Sequence, residues 1–283
     1  MGEWRAAFKE RLDRRAGRPV LAALGSVWIT VVRGEPCVVR WRDGAWVHYY
    51  RGHAIPHRSV AGPLPLKEFI HGSRDVYCYE YTPRLNDVVF DVGAGVGNAT
   101  LLFAGLVGSN GRVIALEAHP TTFDWLTRLC RLNLLANVTP IQVAVSNVEG
   151  TLTISDVGDL DRNTIVADVG GITVPARPLD AVARDLGITR VDFLKMNIEG
   201  AEQLAIQGMP WLIERTEHVC IACHDFIADM AEFDETATLI SSDRMRTKEI
   251  VRQFLVEHGF RVSTNPGAAD PWTRDYLYGR RDG

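Results

Sequence analysis

The chain has 283 residues, of which 46% are hydrophobic and 23% charged, and its formal net charge is −4. That length suits one large α/β domain plus a small appendage, and the composition is that of a globular chain. The acidic balance argues against a general basic field for nucleic acid, and no apolar run approaches the ~18–20 residues that span a membrane.

The first ten residues lack the apolar core of a signal peptide, so a cytoplasmic location is the default expectation. The five cysteines, at 37, 78, 130, 220 and 223, are scattered and odd in number, so no disulfide framework is expected. Cys220 and Cys223 have C-x-x-C spacing, but Cys220 lies inside the apolar run Val219-Cys-Ile-Ala. A single such pair makes zinc or redox use a minor reading.

In chain order, residues 1–16 read as an amphipathic helix, with Trp4, Phe8 and Leu12 at helical spacing. Gly17-Arg-Pro is expected to end it. Val27-Trp-Ile-Thr-Val-Val, Cys37-Val-Val-Arg-Trp and Trp46-Val-His-Tyr-Tyr are β-rich, and Asp43-Gly44 is a turn signal between the last two. Residues 1–60 therefore read as a helix plus a small antiparallel β cap, and 61–283 as a second, nucleotide-binding domain. His48, His53 and His57 read as surface histidines. Leu66–His71 is a short helix candidate. The aromatic stretch Val76–Pro83 either folds over a ligand or covers the sheet edge.

Beyond it, Val88–Val92 reads as a strand, Asn98–Leu106 as a helix, 112–117 as a strand and Pro120–Ala136 as a helix. Ile141–Val145 reads as strand three, with Ser146 and Asn147 at its end. Thr151–Ile154 against Ile172–Val174 fits an inserted hairpin. Helix 179–186, strand Val191–Met196, strand His218–Cys223, helix 245–257 and closing strands at Phe260–Ser263 and Asp275–Gly279 complete the pattern. Alternating strands and helices give a mostly parallel sheet with helices on both faces.

Val88-Val-Phe-Asp-Val-Gly-Ala-Gly-Val-Gly-Asn-Ala-Thr100 is the stretch with chemistry in it. A strand runs into Gly93, Ala94, Gly95 and Gly97, and Asn98 opens a helix. Glycines let backbone approach a ligand, and helix-start N–H groups face it. A dinucleotide site wants Gly-x-Gly-x-x-Gly, but here the third glycine comes one residue early. Asp91, two residues before the first glycine, favours a cationic amine over a pyrophosphate. Asp-x-Gly-x-Gly-x-Gly thus suits S-adenosylmethionine. Glu117, ending the next strand before Ala118, is placed for ribose hydroxyls, and Ser146-Asn147 for the adenine side. Asn197 and His224 fall at further strand ends, so the candidates converge on one edge of the sheet.

Val88–Thr100, Glu117-Ala-His-Pro, Asn133-Leu-Leu-Ala-Asn-Val and above all Asp192-Phe-Leu-Lys-Met-Asn-Ile-Glu-Gly-Ala-Glu202 resemble FkbM-family methyltransferases. The resemblance covers roughly residues 65–280. It implies a seven-stranded class I methyltransferase Rossmann-like fold, S-adenosylmethionine as donor, and O-methylation of sugars, polyketides or other secondary metabolites. The family usually has Lys-x-Asp-x-Glu-Gly where this chain has Asn197 for the Asp. An amide is a poor ligand for a hard cation, so no required metal is expected.

Methyl transfer to an alcohol needs alignment and a proton acceptor. His224 is the expected base, since a neutral imidazole accepts a proton near pH 7. Asp225 is expected to orient it or to act as the base itself. Asn197 is expected to hydrogen-bond acceptor or donor. Lys195 reads as a structural partner of Glu199 or Glu202, and those two acids as favoured at a helix start. The expected partner is a small hydroxylated acceptor, with no nucleic acid or membrane, and the aromatic N-terminal meander suggests a homodimer. Segment 226–243 and the N-terminal cap are expected to wall the acceptor pocket. A catalytically silent S-adenosylmethionine-binding protein is the alternative, and an RNA methyltransferase a weaker one.

Overall fold

The computed structural model describes residues 17–62, 65–154, 171–225, 246–268 and 271–281. The expected helix at 1–16 and the expected pocket wall at 226–243 lie outside them. The chain divides into two compact units. One runs to Gly72 and includes Thr127–Leu135, and the other holds Ser73–Leu126 and the residues from Ala136 on.

The first unit begins with helix α1 (Arg18–Val32), where β structure was expected at Val27–Val32. Pro19 lies in the first turn of this helix, which its fixed φ suits. The β-branched run follows a good helix-forming stretch, and tertiary contact decides it. A Cβ on Gly25 would lie 2.9 Å from Val60, so the helix comes close to its neighbour there. Ser26 Oγ accepts from Val39 N at 2.8 Å and Thr30 Oγ1 from Cys37 N at 3.1 Å. Hydroxyls on one helix face thereby satisfy the N–H groups of a strand edge.

That strand is β1 (Val38–Arg42), paired antiparallel with β2 (Ala45–Tyr50), which pairs with β3 (His53–His57). The Asp43-Gly44 turn has φ of 50° and 80°, the left-handed pair that a tight hairpin needs. Trp46 and Tyr50 of this meander are buried. His48 is not a surface residue. It is wholly buried, and its Nε2 lies 3.1 Å from Val60 O. Glu35 accepts from Leu66 N and Lys67 N, capping the first turn of α2 (Leu66–Tyr77), six residues longer than expected. Asn133 pairs with Ala54 through both its amide atoms, at 2.8 Å each, like one more backbone partner for β3.

The second unit carries a seven-stranded sheet. Its elements are β4 (Val88–Val92), α3 (Asn98–Val107), β5 (Arg112–Glu117), α4 (Pro120–Leu132), β6 (Val138–Gln142), and a three-stranded sheet of β7 (Ala144–Val145), β8 (Gly150–Ile154) and β9 (Ile172–Arg177). There follow α5 (Leu179–Asp185), β10 (Val191–Met196), α6 (Glu202–Gln207), α7 (Pro210–Ile213), β11 (Thr216–Ala222), α8 (Lys248–Glu257), β12 (Phe260–Ser263) and β13 (Tyr276–Arg281). The large sheet has the order β12-β13-β11-β10-β4-β5-β6. β13 runs antiparallel to both neighbours, and the pairs from β11 to β6 are parallel. This is the expected class I methyltransferase Rossmann-like architecture.

The expected hairpin is present as β8 against β9. Strand three, however, starts at Val138 and ends at Gln142, and Ala144-Val145 leaves to pair with β9. Pro140 cannot donate a ladder bond, yet it fits at the sheet edge where β6 lies. Phe90, Val92, Leu194, Met196, Val219 and Ile221, from three adjacent strands, are buried in the main core. These share one face, and Val89, Phe193 and Cys220 are buried on the other. Burial on both faces explains why these strands read as continuous apolar runs.

Candidate functional site

A cavity of about 300 Å³ opens at the C-terminal ends of β10, β4 and β5. β5 lies on one side of β4 and β10 on the other, so the cavity falls at the switch in strand order. Gly93, Ala94, Gly95 and Asn98 line it from the turn and the start of α3, and Glu117 and Ala118 from the end of β5.

Two glycines have different physical duties here. Gly93 has φ +71°, and a Cβ on it would fall 1.9 Å from Asn197 O. Only a glycine lets the exits of β4 and β10 meet backbone to backbone. Gly95 has φ +58°, and a Cβ on it would meet nothing within 4 Å. Its bare face is the open side of the turn. Gly93 N and Ala94 N both donate to Leu116 O at 2.9 Å, which ties the turn to β5.

Glu117 braces the same turn. Its Oε2 accepts from Gly95 N and its Oε1 from His119 N, each at 2.9 Å. Burial pushes the Glu117 carboxyl up, and the two N–H bonds only partly offset this.

Asp91 is not on the cavity wall. It is fully buried, its Oδ1 is 2.9 Å from Lys195 Nζ, and its Oδ2 accepts from Thr100 Oγ1 at 2.6 Å. The expectation that it meets a ligand amine directly is corrected: a lysine of this chain takes that place. Lys195, expected to pair with Glu199 or Glu202, lines the cavity and pairs with Asp91. It also donates to Gly93 O at 2.7 Å, and its Nζ lies 5.1 Å from the Tyr77 ring centroid. Burial works most strongly against the ammonium, but the Asp91 charge and hydrogen bond together with Tyr77 and Glu117 offset it, and the net shift is upward.

Asn197 lines the cavity as expected. Its Nδ2 donates to Tyr77 Oη at 3.3 Å, and its Oδ1 is buried with no hydrogen-bond donor among the described residues. Tyr77 stacks on Tyr276 with centroids 6.1 Å apart. Of the aromatic stretch that begins at Val76, Tyr77 is the residue that reaches the wall.

His224 is not placed as a neutral base. It is buried behind the wall, with Nδ1 3.1 Å from Glu202 Oε1 and Nε2 3.4 Å from Glu199 Oε1. Burial alone disfavours its charged form, but the hydrogen bonds to Glu199 and Glu202 prevail and its pKa rises to about 10. Near neutral pH it is an imidazolium with no lone pair to offer. Asp225 neither orients it nor faces the cavity. Its Oδ2 accepts from Thr247 N and Lys248 N at 3.0 Å, which caps α8.

Ser146 and Asn147 are likewise not brought to the cavity. Ser146 N bonds Arg177 O along β9, and Asn147 Nδ2 donates to Gln207 Oε1. Val143, Ala144 and Val145 line that side instead, because the strand ends earlier than expected. Glu199, also on the wall, was read as a helix-start acid. It has φ +49° and stands before Gly200 at φ +89°. An acid three residues before a second acid, with a histidine ending the next strand, was the available signal.

Cys220 and Cys223 are free and buried, and burial pushes both thiols up. No helix among the described residues is long and apolar enough to cross a membrane.

A family model described as the methyltransferase FkbM domain matches residues 91–262. No curated protein matches the chain. Among solved structures, an FkbM methyltransferase from Methylobacillus flagellatus KT is 18% identical, with TM-score 0.45. The match covers 69% of this chain and 43% of that one, so the chain spans under half of its length. Fibrillarin from Aeropyrum pernix, solved with S-adenosyl-L-methionine, is 12% identical, with TM-score 0.46, covering 86% of this chain and 97% of that one. A SAM-dependent methyltransferase from Aquifex aeolicus is 16% identical, with TM-score 0.43, covering 76% and 91% respectively.

Proposed function

The chain belongs to the methyltransferase FkbM family, which uses S-adenosylmethionine, and from that premise we propose that it methylates a hydroxyl of a small molecule. The observation that carries this reading is the cavity at the strand-order switch, floored by the Gly93–Gly95 turn and bounded by Glu117 and Asn197. The residues suit the nucleoside. Gly95 exposes bare backbone, Glu117 ends β5 where ribose hydroxyls are expected, and the orphaned Asn197 Oδ1 is a buried acceptor awaiting a donor. When bound, S-adenosylmethionine supplies an electrophilic methyl on a sulfonium.

The chain's own residues then hold and exclude. Val143, Ala144 and Val145 give the adenine side an apolar wall. Asn197 and Tyr77 present polar atoms at the other end, where an acceptor hydroxyl is oriented. Alignment of two bound partners supplies a large share of such a rate enhancement. His224 takes no proton in this scheme; the acceptor hydroxyl gives its proton up to water. The test is incubation of the purified chain with S-adenosylmethionine and a panel of hydroxylated sugars and polyketides, read by mass spectrometry. A product one methylene heavier than its substrate, lost with Asn197→Ala, supports the reading.

A second reading, a nucleoside-binding protein without turnover, is favoured by one observation: the expected base is locked as an imidazolium between two carboxylates. Nucleoside binding with no transfer to any acceptor in the panel supports it.

A further inference from the structure

We infer that the Glu199 carboxylate is the contact for the positively charged methionine end of the bound nucleoside. This rests on the donor proposed above and assigns its charge recognition to a residue other than Asp91.

Sheet order provides the first argument. Glu117 marks the ribose position at the end of β5, and β4 and then β10 lie beyond it. Two strand spacings are about 10 Å, roughly the reach from a ribose to the far end of its methionine substituent. That end therefore lies over the exit of β10, where Asn197 and Glu199 line the cavity.

Electrostatics provides the second. Of the carboxylates around the cavity, Glu117 is committed to Gly95 N and His119 N at the ribose position, and Asp91 is already spent on Lys195 in full burial. Lys195 itself faces the cavity, so a cationic ligand needs a compensating anion on the wall. Glu199 is there, with its side chain 25% exposed. His224 stands behind it and is shared with Glu202, so one imidazolium faces two carboxylates. Thr247 Oγ1 donates to Glu202 Oε2 at 3.2 Å and fixes the far side of the clamp. His224 is thus a positioning residue for Glu199.

Backbone strain is the third argument. Glu199 has φ +49°, a left-handed region that side-chain-bearing residues avoid. A glycine would relieve it. Strain kept at a wall residue points to the side chain as the reason.

The experiment is calorimetric titration of wild type, Glu199→Gln, Glu199→Asn and His224→Gln with S-adenosylmethionine and S-adenosylhomocysteine. S-adenosylhomocysteine keeps the ammonium and lacks the sulfonium charge. Asn tolerates a positive φ, so Glu199→Asn keeps the fold if Gln strains it. A roughly tenfold weaker binding of S-adenosylmethionine alone in both Glu199 variants supports a sulfonium contact, and equal weakening of both ligands supports an ammonium contact. His224→Gln is expected to change the ratio of the two affinities in the same sense as the Glu199 variants, or their common level if the ammonium is the contact. Unchanged affinities in folded Glu199 variants overturn the inference while leaving the donor proposal standing. If wild type binds neither ligand, the donor proposal fails and the inference falls with it.

Discussion

Lys195 Nζ lies 2.9 Å from Asp91 Oδ1, and both side chains are sealed from solvent. The two sit opposite each other in adjacent parallel strands, β10 and β4. The same ammonium donates to Gly93 O, so one buried charge pair anchors the entrance of the glycine turn. Removing either charge leaves the other buried and uncompensated. Asp91→Asn and Lys195→Met are each expected to destabilise the fold by about 3–5 kcal/mol, with the double variant losing less than the sum. Urea denaturation of the four proteins measures this, and strict additivity would contradict the pairing.

Gly93 and Gly95 separate fold from binding. Gly93→Ala places a Cβ 1.9 Å from Asn197 O, and it is expected to break the junction of β4 and β10 and abolish cooperative unfolding. Gly95→Ala meets open space and is expected to cost about 1–2 kcal/mol of left-handed strain. Gly95 lines the cavity, so nucleoside affinity is expected to drop while the melting curve remains cooperative. Equal thermal behaviour of the two variants would count against this division.

His224 gives a pH signature. Its folded pKa of about 10 stands above the ordinary value of 6.5, so its stabilisation is complete below about pH 6.5 and is lost as pH rises toward 10. The stability advantage of wild type over His224→Gln is therefore expected to shrink steadily between pH 7 and about pH 10. Using the difference between the two proteins removes the contribution of the buried thiols. An advantage that stays flat over that range and falls only as pH drops below about 6.5 would show that the imidazole is buried neutral.

Asp225 is expected to behave as a cap. Asp225→Ala removes the acceptor for Thr247 N and Lys248 N and is expected to cost about 1 kcal/mol with nucleoside affinity unchanged. Paired denaturation and titration check it, and a loss of affinity without a loss of stability would return Asp225 to the site.

What could be read from the chain alone follows the range of the interaction. The β4–glycine–α3 unit was legible because strand, turn and helix are contiguous and each has its own local signal. Glu117 was legible because one βαβ repeat sets its place. Helix α1 was not, since Val27–Val32 favours a strand locally and only packing at Gly25, Ser26 and Thr30 decides otherwise. The partner of Asp91 was not legible either, because it comes from Lys195 on another strand. His224 was placed correctly at a strand end, but its charge is set by Glu199 and Glu202, which reach it from the loop after β10 and the start of α6. Ser146 and Asn147 failed for a smaller reason: β6 ends at Gln142, and the register beyond it belongs to a different sheet.

The proposed donor requires the Gly93–Gly95 turn and Glu117 to form a cavity for a sulfur-bearing nucleoside. The decisive experiment is calorimetric titration of the purified chain with S-adenosylmethionine, S-adenosylhomocysteine and NADH, beside a Glu117→Ala control. Micromolar binding of both sulfur nucleosides is expected, with loss of both in the control and no binding of NADH. Binding of NADH in place of the sulfur nucleosides, or of none of the three, would contradict this donor assignment.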